Sequence, residues 1–239
     1  MEWAKGCGGC SFGLLPGGGF CDCRAGQARR VASEKRARMD EELRTGTKPH
    51  ALTLDAIPVH YRAFTWSDTI RFMVDAPKVD AARRVRHWIA EPGVGLFLTG
   101  PVGSGKSTLA FLGAKDFLLR GVQVAVVQYQ GFMTELGAAD YAESAGAILR
   151  LSSVQVLVVD DLGALERARN GRVEPETPRR VEIIAQILTA RINGNLPTII
   201  TSNLSLNQVG QQFGDPVKSR IGSFDHVLVN GRDLRGKHE

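Results

Sequence analysis

The sequence lacks several features that would place it in a special class of protein. Its 239 residues contain no apolar run approaching the roughly 20 residues that a membrane-spanning helix needs. The start, MEWAKGCGGC, has no apolar core of the kind found in a secretory signal. We therefore expect a soluble, cytoplasmic protein that has no membrane partner.

Cysteine is absent after residue 23, and the thiols before that point are clustered. They form a C-x2-C pair and a C-x-C pair on either side of a glycine-rich stretch, at Cys7, Cys10, Cys21 and Cys23. Because disulfides are rare inside cells, clustered thiols indicate a metal first. Four thiolates suit tetrahedral Zn²⁺, whose binding would supply folding energy that this segment cannot gain from a core. Unliganded or redox-active thiols are the alternative.

Neither sign of charge is in large excess. Thirty Lys and Arg residues stand against 25 Asp and Glu residues, which leaves a net charge of +5. This balance is compatible with a nucleic-acid partner and equally with an ordinary basic surface. The charged stretch from Arg24 to Arg44 is typical of a helix that docks on a partner or of a solvated linker helix.

Short apolar runs alternate with helical patterns from about residue 58 onward. The runs are Leu96–Thr99, Val122–Gln128, Val154–Asp160, Pro197–Thr201 and His226–Val229. Continuous apolarity indicates burial on both faces, as in a parallel sheet between helices. One helix is predicted over 67–91, interrupted at Pro77, and another begins at Pro178 after Thr177 as N-cap and stops at Gly194. The sequence therefore predicts an α/β fold with a five-stranded parallel sheet.

A phosphate-binding pattern, G-x4-G-K-[ST], follows the first predicted strand and opens a helix. It consists of Gly100, Pro101, Val102, Gly103, Ser104, Gly105, Lys106 and Ser107, with Thr108 next. Glycines let main-chain N–H groups approach a triphosphate, and the helix N-terminus favours its negative charge. We expect Lys106 to reach the β- and γ-phosphates and the Ser107 hydroxyl to bind Mg²⁺.

Two further runs end in polar residues that suit hydrolysis of a triphosphate. The third run ends in Asp160, placed to hold Mg²⁺ through water, and Asp161 is placed to orient the attacking water. A Glu is commoner at the second position, so the shorter Asp161 predicts slow turnover. The fourth run leads to Asn203, which is expected between the Mg²⁺-bound carboxylate and the γ-phosphate.

In combination and order, these motifs resemble those of the DnaC/DnaI-type AAA+ helicase loaders, relatives of the replication initiator DnaA and the transposition helper IstB. The resemblance runs from about Ile57 to Arg235. It rests on Ile57-Pro58 with Tyr61, GPVGSGKST, LVVDDLG at 157–163, TIITSNLSL at 198–206, KSRI at 218–221 and GRDLR at 231–235. The cysteine segment is also similar to the metal-binding start of many such loaders.

The resemblance implies an oligomer-dependent ATP hydrolase that uses ATP, Mg²⁺ and Zn²⁺. Arg220 matches the arginine finger, which reaches the ATP of a neighbouring subunit, and Asn203 matches sensor 1. The implied domains are a zinc-binding, helicase-docking region at 1–45, a linker at 46–57 and an AAA+ ATPase domain at 58–239 with a truncated lid. The implied partners are a hexameric replicative helicase, single-stranded DNA and further copies of the chain in a ring or spiral.

Some residues allow two interpretations. The segment 163–180 is unusually rich in arginines that either contact DNA phosphates or are solvated: Arg167, Arg169, Arg172, Arg179 and Arg180. Tyr129 and Phe132 either stack on bases or pack in the core. Arg235 is the nearest candidate for a sensor-2 arginine. For the whole chain the alternatives are an IstB-like transposition helper, a P-loop small-molecule kinase and a non-hydrolysing adaptor.

Overall fold

The computed structural model describes residues 57–72, 76–163, 168–169 and 172–231, together with positions 27 and 30. The chain divides into two compact units. The elements below belong, except for Leu119, to the larger one, residues 52–118 and 122–239. No helix within the described ranges is long and apolar enough to cross a membrane.

A five-stranded parallel sheet forms the centre of the larger unit, which confirms the predicted fold class. The strands, in chain order, are β1 (Gly95–Thr99), β2 (Val124–Gln128), β3 (Val156–Asp160), β4 (Ala168–Arg169), β5 (Arg172–Val173), β6 (Thr198–Ser202) and β7 (Asp225–Leu228). The sheet order is β2-β3-β6-β1-β7, and all neighbouring strands are parallel. The strands β4 and β5 form a separate antiparallel pair.

Helices connect the strands. Those of the described residues are α1 (Val59–Arg62), α2 (Trp66–Phe72), α3 (Ala76–Ala90), α4 (Lys106–Leu119), α5 (Tyr129–Ala138), α6 (Tyr141–Ser153), α7 (Pro178–Asn193) and α8 (Leu206–Gly222). Two of them begin with a capping box, in which the N-cap side chain and the third helical residue each bond the other's main-chain N–H. These pairs are Asp140 with Glu143 at α6 and Ser205 with Gln208 at α8.

Both faces of the sheet are covered, which explains the continuous apolar runs. Leu96 and Leu98 of β1 belong to a core shared with α3 and α4. Phe97, between them, belongs to a second core shared with α5 to α8. Because successive strand residues point to opposite faces, each central strand needs apolar residues at every position.

Some local expectations need correction. The helix predicted over 67–91 is two helices, and Pro77 lies in the first turn of α3, where its missing N–H costs no hydrogen bond. Thr177 is the N-cap of α7, but its side chain makes no capping hydrogen bond. The pair β4 and β5 was not predicted, although the intervening Asn170-Gly171 is a sequence typical of hairpins.

Candidate nucleotide site

The sheet brings three sequence motifs to one edge. Strand β6 lies between β1 and β3, and all three run in the same direction. Their carboxyl ends therefore meet at one edge, where open α/β sheets bind ligands. The glycine-rich loop follows β1, Asn203 follows β6, and Asp160 ends β3. The strand order thus puts Asn203 between the loop and the two acids, and its place between the Mg²⁺-bound carboxylate and the γ-phosphate stays a prediction.

The loop after β1 depends on glycine at several positions. Gly100, Gly103 and Gly105 have φ values of 149°, 74° and 100°, which L side chains rarely adopt. A Cβ on Gly100 would lie 2.1 Å from the carbonyl oxygen of Val229, on the segment that follows β7. Other residues would therefore be strained at these three positions. At Gly100 a side chain would also clash with the Val229 carbonyl group.

Lys106 is anchored inside this loop. Its Nζ donates to the carbonyl oxygens of Gly100, at 2.9 Å, and Pro101, at 2.7 Å, and the residue is almost fully buried. The buried hydroxyl of Ser104 has no hydrogen-bond partner within the described part of the chain. These features suit binding of the phosphates of a nucleotide. They are the Lys106 cation, the Ser104 hydroxyl, which is available for a hydrogen bond, and the N-terminus of α4.

Asp160, the last residue of β3, and the adjacent Asp161 are held in place by hydrogen bonds to side chains at and just after the end of β6. Oδ1 of Asp160 accepts a hydrogen bond of 2.7 Å from the Thr201 hydroxyl. The main-chain N–H of Asp161 donates to the same hydroxyl at 2.9 Å. Nδ2 of Asn203 donates to Oδ1 of Asp161 at 3.0 Å. Asp161 has a φ of 58°, a left-handed conformation that Asp tolerates better than most residues.

The carboxylate of Asp160 and the hydroxyl of Ser107 are the oxygen ligands that Mg²⁺ prefers. Within the described residues, no group of three or more His, Cys, Asp or Glu side chains is arranged to hold a metal. A Mg²⁺ bound here would therefore share its coordination with the phosphates and water. The residues at this edge are thus suited to hold a Mg²⁺–triphosphate and to orient a water molecule for attack on it.

Sequence reasoning missed Thr201 and Ser202. The Ser202 hydroxyl donates to the carbonyl oxygen of Leu162 at 2.6 Å, so both residues fasten the chain that carries the acids. Their hydroxyls at the end of an otherwise apolar strand were the available signal. Thr99, at the end of β1, bonds the carbonyl oxygen of Leu204 and fastens the third strand end.

Arg220 lies far from this edge within its own chain. Helix α8 begins beside Asn203, is kinked at Gly214, and ends close to the start of β7 at the opposite edge of the sheet. The Arg220 guanidinium donates to the Thr189 hydroxyl and to the carbonyl oxygen of Pro216, both at 2.6 Å. The structure therefore does not bring Arg220 to the acids of the same subunit.

The structure favours one interpretation of the aromatic residues after β2. Tyr129 is fully buried, its ring lies edge-on to Phe213, and its hydroxyl is 3.2 Å from the Glu176 carboxylate. Phe132 packs against the same core. Tyr129 is therefore a core residue, and Phe132 is a half-buried residue at the margin of the same core.

The predicted arginines of 163–180 differ from one another. Arg180 lies 3.6 Å from the buried carboxylate of Glu176 and donates to Gln130, whereas Arg179 is exposed. The side chains of Arg167, Arg169 and Arg172 lie outside the described part of the structure. The same is true of Arg235 and of the predicted zinc ligands Cys7, Cys10, Cys21 and Cys23.

Comparison with models of known families assigns the chain to one of them. Residues 31–226 match the family described as IstB-like ATP binding protein. The chain belongs to this family. Among curated proteins, none matches the sequence.

Solved structures similar to this IstB-like chain include proteins of replication. DnaI aligns with a TM-score of 0.61 and 25% identity, over 75% of this chain and 94% of DnaI. The DnaC helicase loader aligns with a TM-score of 0.56 and 22% identity, over 65% of this chain and 92% of DnaC. DnaA bound to AMPPCP and single-stranded DNA aligns with a TM-score of 0.59 and 18% identity, over 75% of this chain and 53% of that one. The likeness to DnaC and DnaA shows the fold alone.

These comparisons confirm the family and fold inferred from the sequence. The chain is a DnaC/IstB-like AAA+ ATPase with a P-loop fold. Membership of an ATP-binding family agrees with the geometry of the loop and the acids. The small-molecule kinase alternative gains no support from them.

Proposed function

We propose that the protein is an ATP-dependent helicase loader, which binds ATP with Mg²⁺ and single-stranded DNA and delivers a hexameric replicative helicase to DNA. The observation that carries this proposal is the coverage of DnaI, 94% of whose chain aligns with this one. The DnaC helicase loader is covered to 92%. This chain thus aligns with nearly the whole of each solved chain. A fold is shared by many functions, so the partner has to be tested directly.

The nucleotide is held by the residues at the carboxyl edge of the sheet. The main chain of the 100–107 loop and the Lys106 ammonium bind the phosphates, and Ser107 with Asp160 holds Mg²⁺. Bound Mg²⁺ supplies charge neutralisation on the phosphates. Asp161, held by Asn203, orients the attacking water. Calorimetry with ATP and Mg²⁺ tests this site: wild type takes up nucleotide and Lys106→Ala does not. Equal uptake by both would contradict it.

Hydrolysis requires a neighbouring subunit. The position of Arg220 at the far end of α8 supports a role at the site of the next copy in a ring or spiral, where a guanidinium stabilises charge on the transferring phosphoryl group. The Arg220→Ala variant should keep its affinity for ATP but lose turnover in the assembled form. Arg83→Ala, which alters an exposed arginine of α3, is the matched control and keeps turnover.

A mixing experiment separates this role from one within the same subunit. Lys106→Ala and Arg220→Ala are each expected to be inactive alone. An Arg220→Ala subunit still has an intact phosphate loop, and a Lys106→Ala subunit still has an intact Arg220. Where the two are neighbours in a mixed assembly, they form one complete site, so part of the turnover returns. No return of activity, in mixtures that do assemble, would contradict the shared site.

The partner separates the loader from its main alternative. The match to the IstB-like family specifically favours a second candidate function, a transposition helper that acts on a transposase. Capture on the immobilised protein with ATP should retain a purified hexameric replicative helicase in stoichiometric amounts. Retention of a purified transposase without the helicase would support the alternative and overturn the loader.

Residues 1–45 supply the helicase-docking region of this proposal. Cys7, Cys10, Cys21 and Cys23 bind one Zn²⁺, and the charged stretch that follows contacts the helicase. Elemental analysis of the purified protein should find about one zinc per chain, as expected for a tetrahedral four-thiolate site. Replacement of Cys7 by Ser should remove the zinc and weaken helicase capture while leaving ATP uptake unchanged. A zinc-free wild type would refute this part.

Single-stranded DNA is the remaining partner. The exposed Arg179 at the start of α7 is a candidate phosphate contact, whereas Arg180 is engaged with Glu176. Arg179→Ala is expected to lower affinity for single-stranded DNA and to reduce its salt dependence, because fewer counterions are released. Arg83→Ala again serves as control, and an equal effect of both variants would contradict a specific contact.

A further inference from the structure

The main-chain pairing between β3 and β6 stops short of the acids. Registered pairs run from Leu157 opposite Thr198 to Val159 opposite Ile200, and none includes Asp160. Beyond this point the N–H of Leu162 donates to the carbonyl oxygen of Thr201 at 2.8 Å. Between the two lies the turn that carries Asp160 and Asp161.

One side chain bridges this interruption. The hydroxyl of Thr201, which is 1% exposed, accepts from the Asp161 N–H at 2.9 Å and donates to Oδ1 of Asp160 at 2.7 Å. A hydroxyl has a single proton to donate, so the bond to Asp160 uses it. The same atom therefore fixes the carboxylate of one acid and the backbone of the next.

We infer that Thr201 is a positioning residue for ATP hydrolysis, which sets Asp160 and Asp161 at a fixed distance and angle to each other. The inference rests on the proposed function. With Oδ1 of Asp160 bonded to Thr201, Oδ2 is left for the Mg²⁺ shell. Meanwhile the bond to the Asp161 N–H holds this residue at its left-handed φ of 58°. In this way the metal ligand and the water-orienting acid keep their relative position.

The neighbouring residues strengthen the arrangement. Ser202 donates to the carbonyl oxygen of Leu162, and Asn203 donates to Asp161. Three consecutive residues thus contact the chain that carries the acids. Thr201 differs from the other two because its hydroxyl is hydrogen-bonded to both acids.

Thr201→Val tests the role, since it keeps the shape and removes the hydroxyl. We expect ATP affinity without Mg²⁺ to stay within about twofold of wild type and kcat to fall about 10- to 100-fold, as for displaced catalytic groups. The Mg²⁺ concentration for half-maximal turnover should rise. Thr201→Ser, which retains the hydroxyl, should restore kcat to within about threefold.

The matched control is Thr198→Val at the other end of the same strand. Thr198 is equally buried, and its hydroxyl is also bonded, to Arg191 and to the carbonyl oxygen of Leu196. The control removes a buried hydroxyl but should leave kcat and the Mg²⁺ requirement unchanged. An equal loss of kcat in Thr198→Val, or an unchanged kcat in Thr201→Val, would overturn the inference.

Hydrogen exchange gives a readout that does not need turnover. The Asp161 amide should exchange at least severalfold faster in Thr201→Val than in wild type and Thr198→Val, and an unchanged rate would overturn the inference. If wild type itself shows no turnover, the proposed function fails, while the exchange result still decides whether Thr201 holds the Asp161 backbone. Should Thr201→Val not fold, Thr201→Cys replaces it. Its weak thiol donor predicts reduced kcat and faster exchange, and wild-type values for both would refute the role.

Discussion

Replacing Arg191 tests how the ends of α6 and α7 are held against the start of β6. Arg191, near the end of α7, is fully buried. Its guanidinium makes four hydrogen bonds of 2.8 Å: to the carbonyl oxygens of Leu151, Val154 and Pro197 and to the hydroxyl of Thr198. Burial lowers its pKa to about 10, so the group remains charged at neutral pH. It joins the end of α6, the end of α7 and the start of β6.

The magnitude follows from the bonds that Arg191→Met removes. Methionine fills much of the space, but three carbonyl oxygens lose a charged donor. The oxygen of Pro197 still accepts from the Leu157 N–H at 3.1 Å, so the main cost falls on the oxygens of Leu151 and Val154. Each unsatisfied buried group costs about 1–3 kcal/mol. The end of α6 also loses a cation at its negative dipole end. The variant no longer buries a charge, which offsets part of this cost. We expect a net loss of about 2–4 kcal/mol.

Urea unfolding followed by circular dichroism measures this loss. Arg150→Met is the control, because Arg150 is an exposed arginine of the neighbouring α6 and surface changes usually stay within about 0.5 kcal/mol. Arg191→Lys should lie between wild type and Arg191→Met, since an ammonium cannot reproduce the planar fork of donors. A loss below about 1 kcal/mol in Arg191→Met would refute the reasoning.

Three other changes have expected outcomes. Gly100→Ala should lower the free energy of unfolding by at least about 1–3 kcal/mol and abolish ATP uptake. The reason is that φ at Gly100 is 149° and the new Cβ would clash with the Val229 carbonyl oxygen. Normal ATP uptake by calorimetry would contradict this. Asp161→Asn tolerates the left-handed conformation, so ATP binding should persist while turnover falls at least about 100-fold in a phosphate-release assay. Turnover near wild type would exclude Asp161 as the water-orienting acid. Chelating zinc should reduce helicase capture without affecting ATP uptake, and capture that survives complete zinc removal would count against the docking region.

Most of the sheet and the phosphate loop were predictable because their signals are local. A strand buried on both faces needs an unbroken apolar run, and the glycines of the 100–107 loop allow a backbone shape closed to other residues. The order of the runs also placed Asp160 and Asn203 at one edge, as parallel strands require. The interruption of the helix over 67–91 was predicted, but at Pro77, which lies in the first turn of α3, so the break comes before it.

Residues that act across the structure were not predictable in the same way. Thr201 has the appearance of an ordinary strand residue, and its contacts with Asp160 and Asp161 arise only when β6 lies beside β3. Arg191 occupies a position that, on a helix alone, would be interpreted as solvated. Its role depends on carbonyl oxygens from two other segments, the end of α6 and the residue before β6.

The sequence alone determined where a nucleotide site is expected, because the phosphate loop, the paired acids and the following asparagine are each short patterns defined by residue type and spacing. The tertiary structure decided how these groups are oriented and which of them share a subunit. It places the hydroxyl of Thr201 against both acids and places Arg220 at the opposite edge of its own sheet. The reason is that hydrogen bonds and distances between strands depend on the sheet order, which no local pattern specifies.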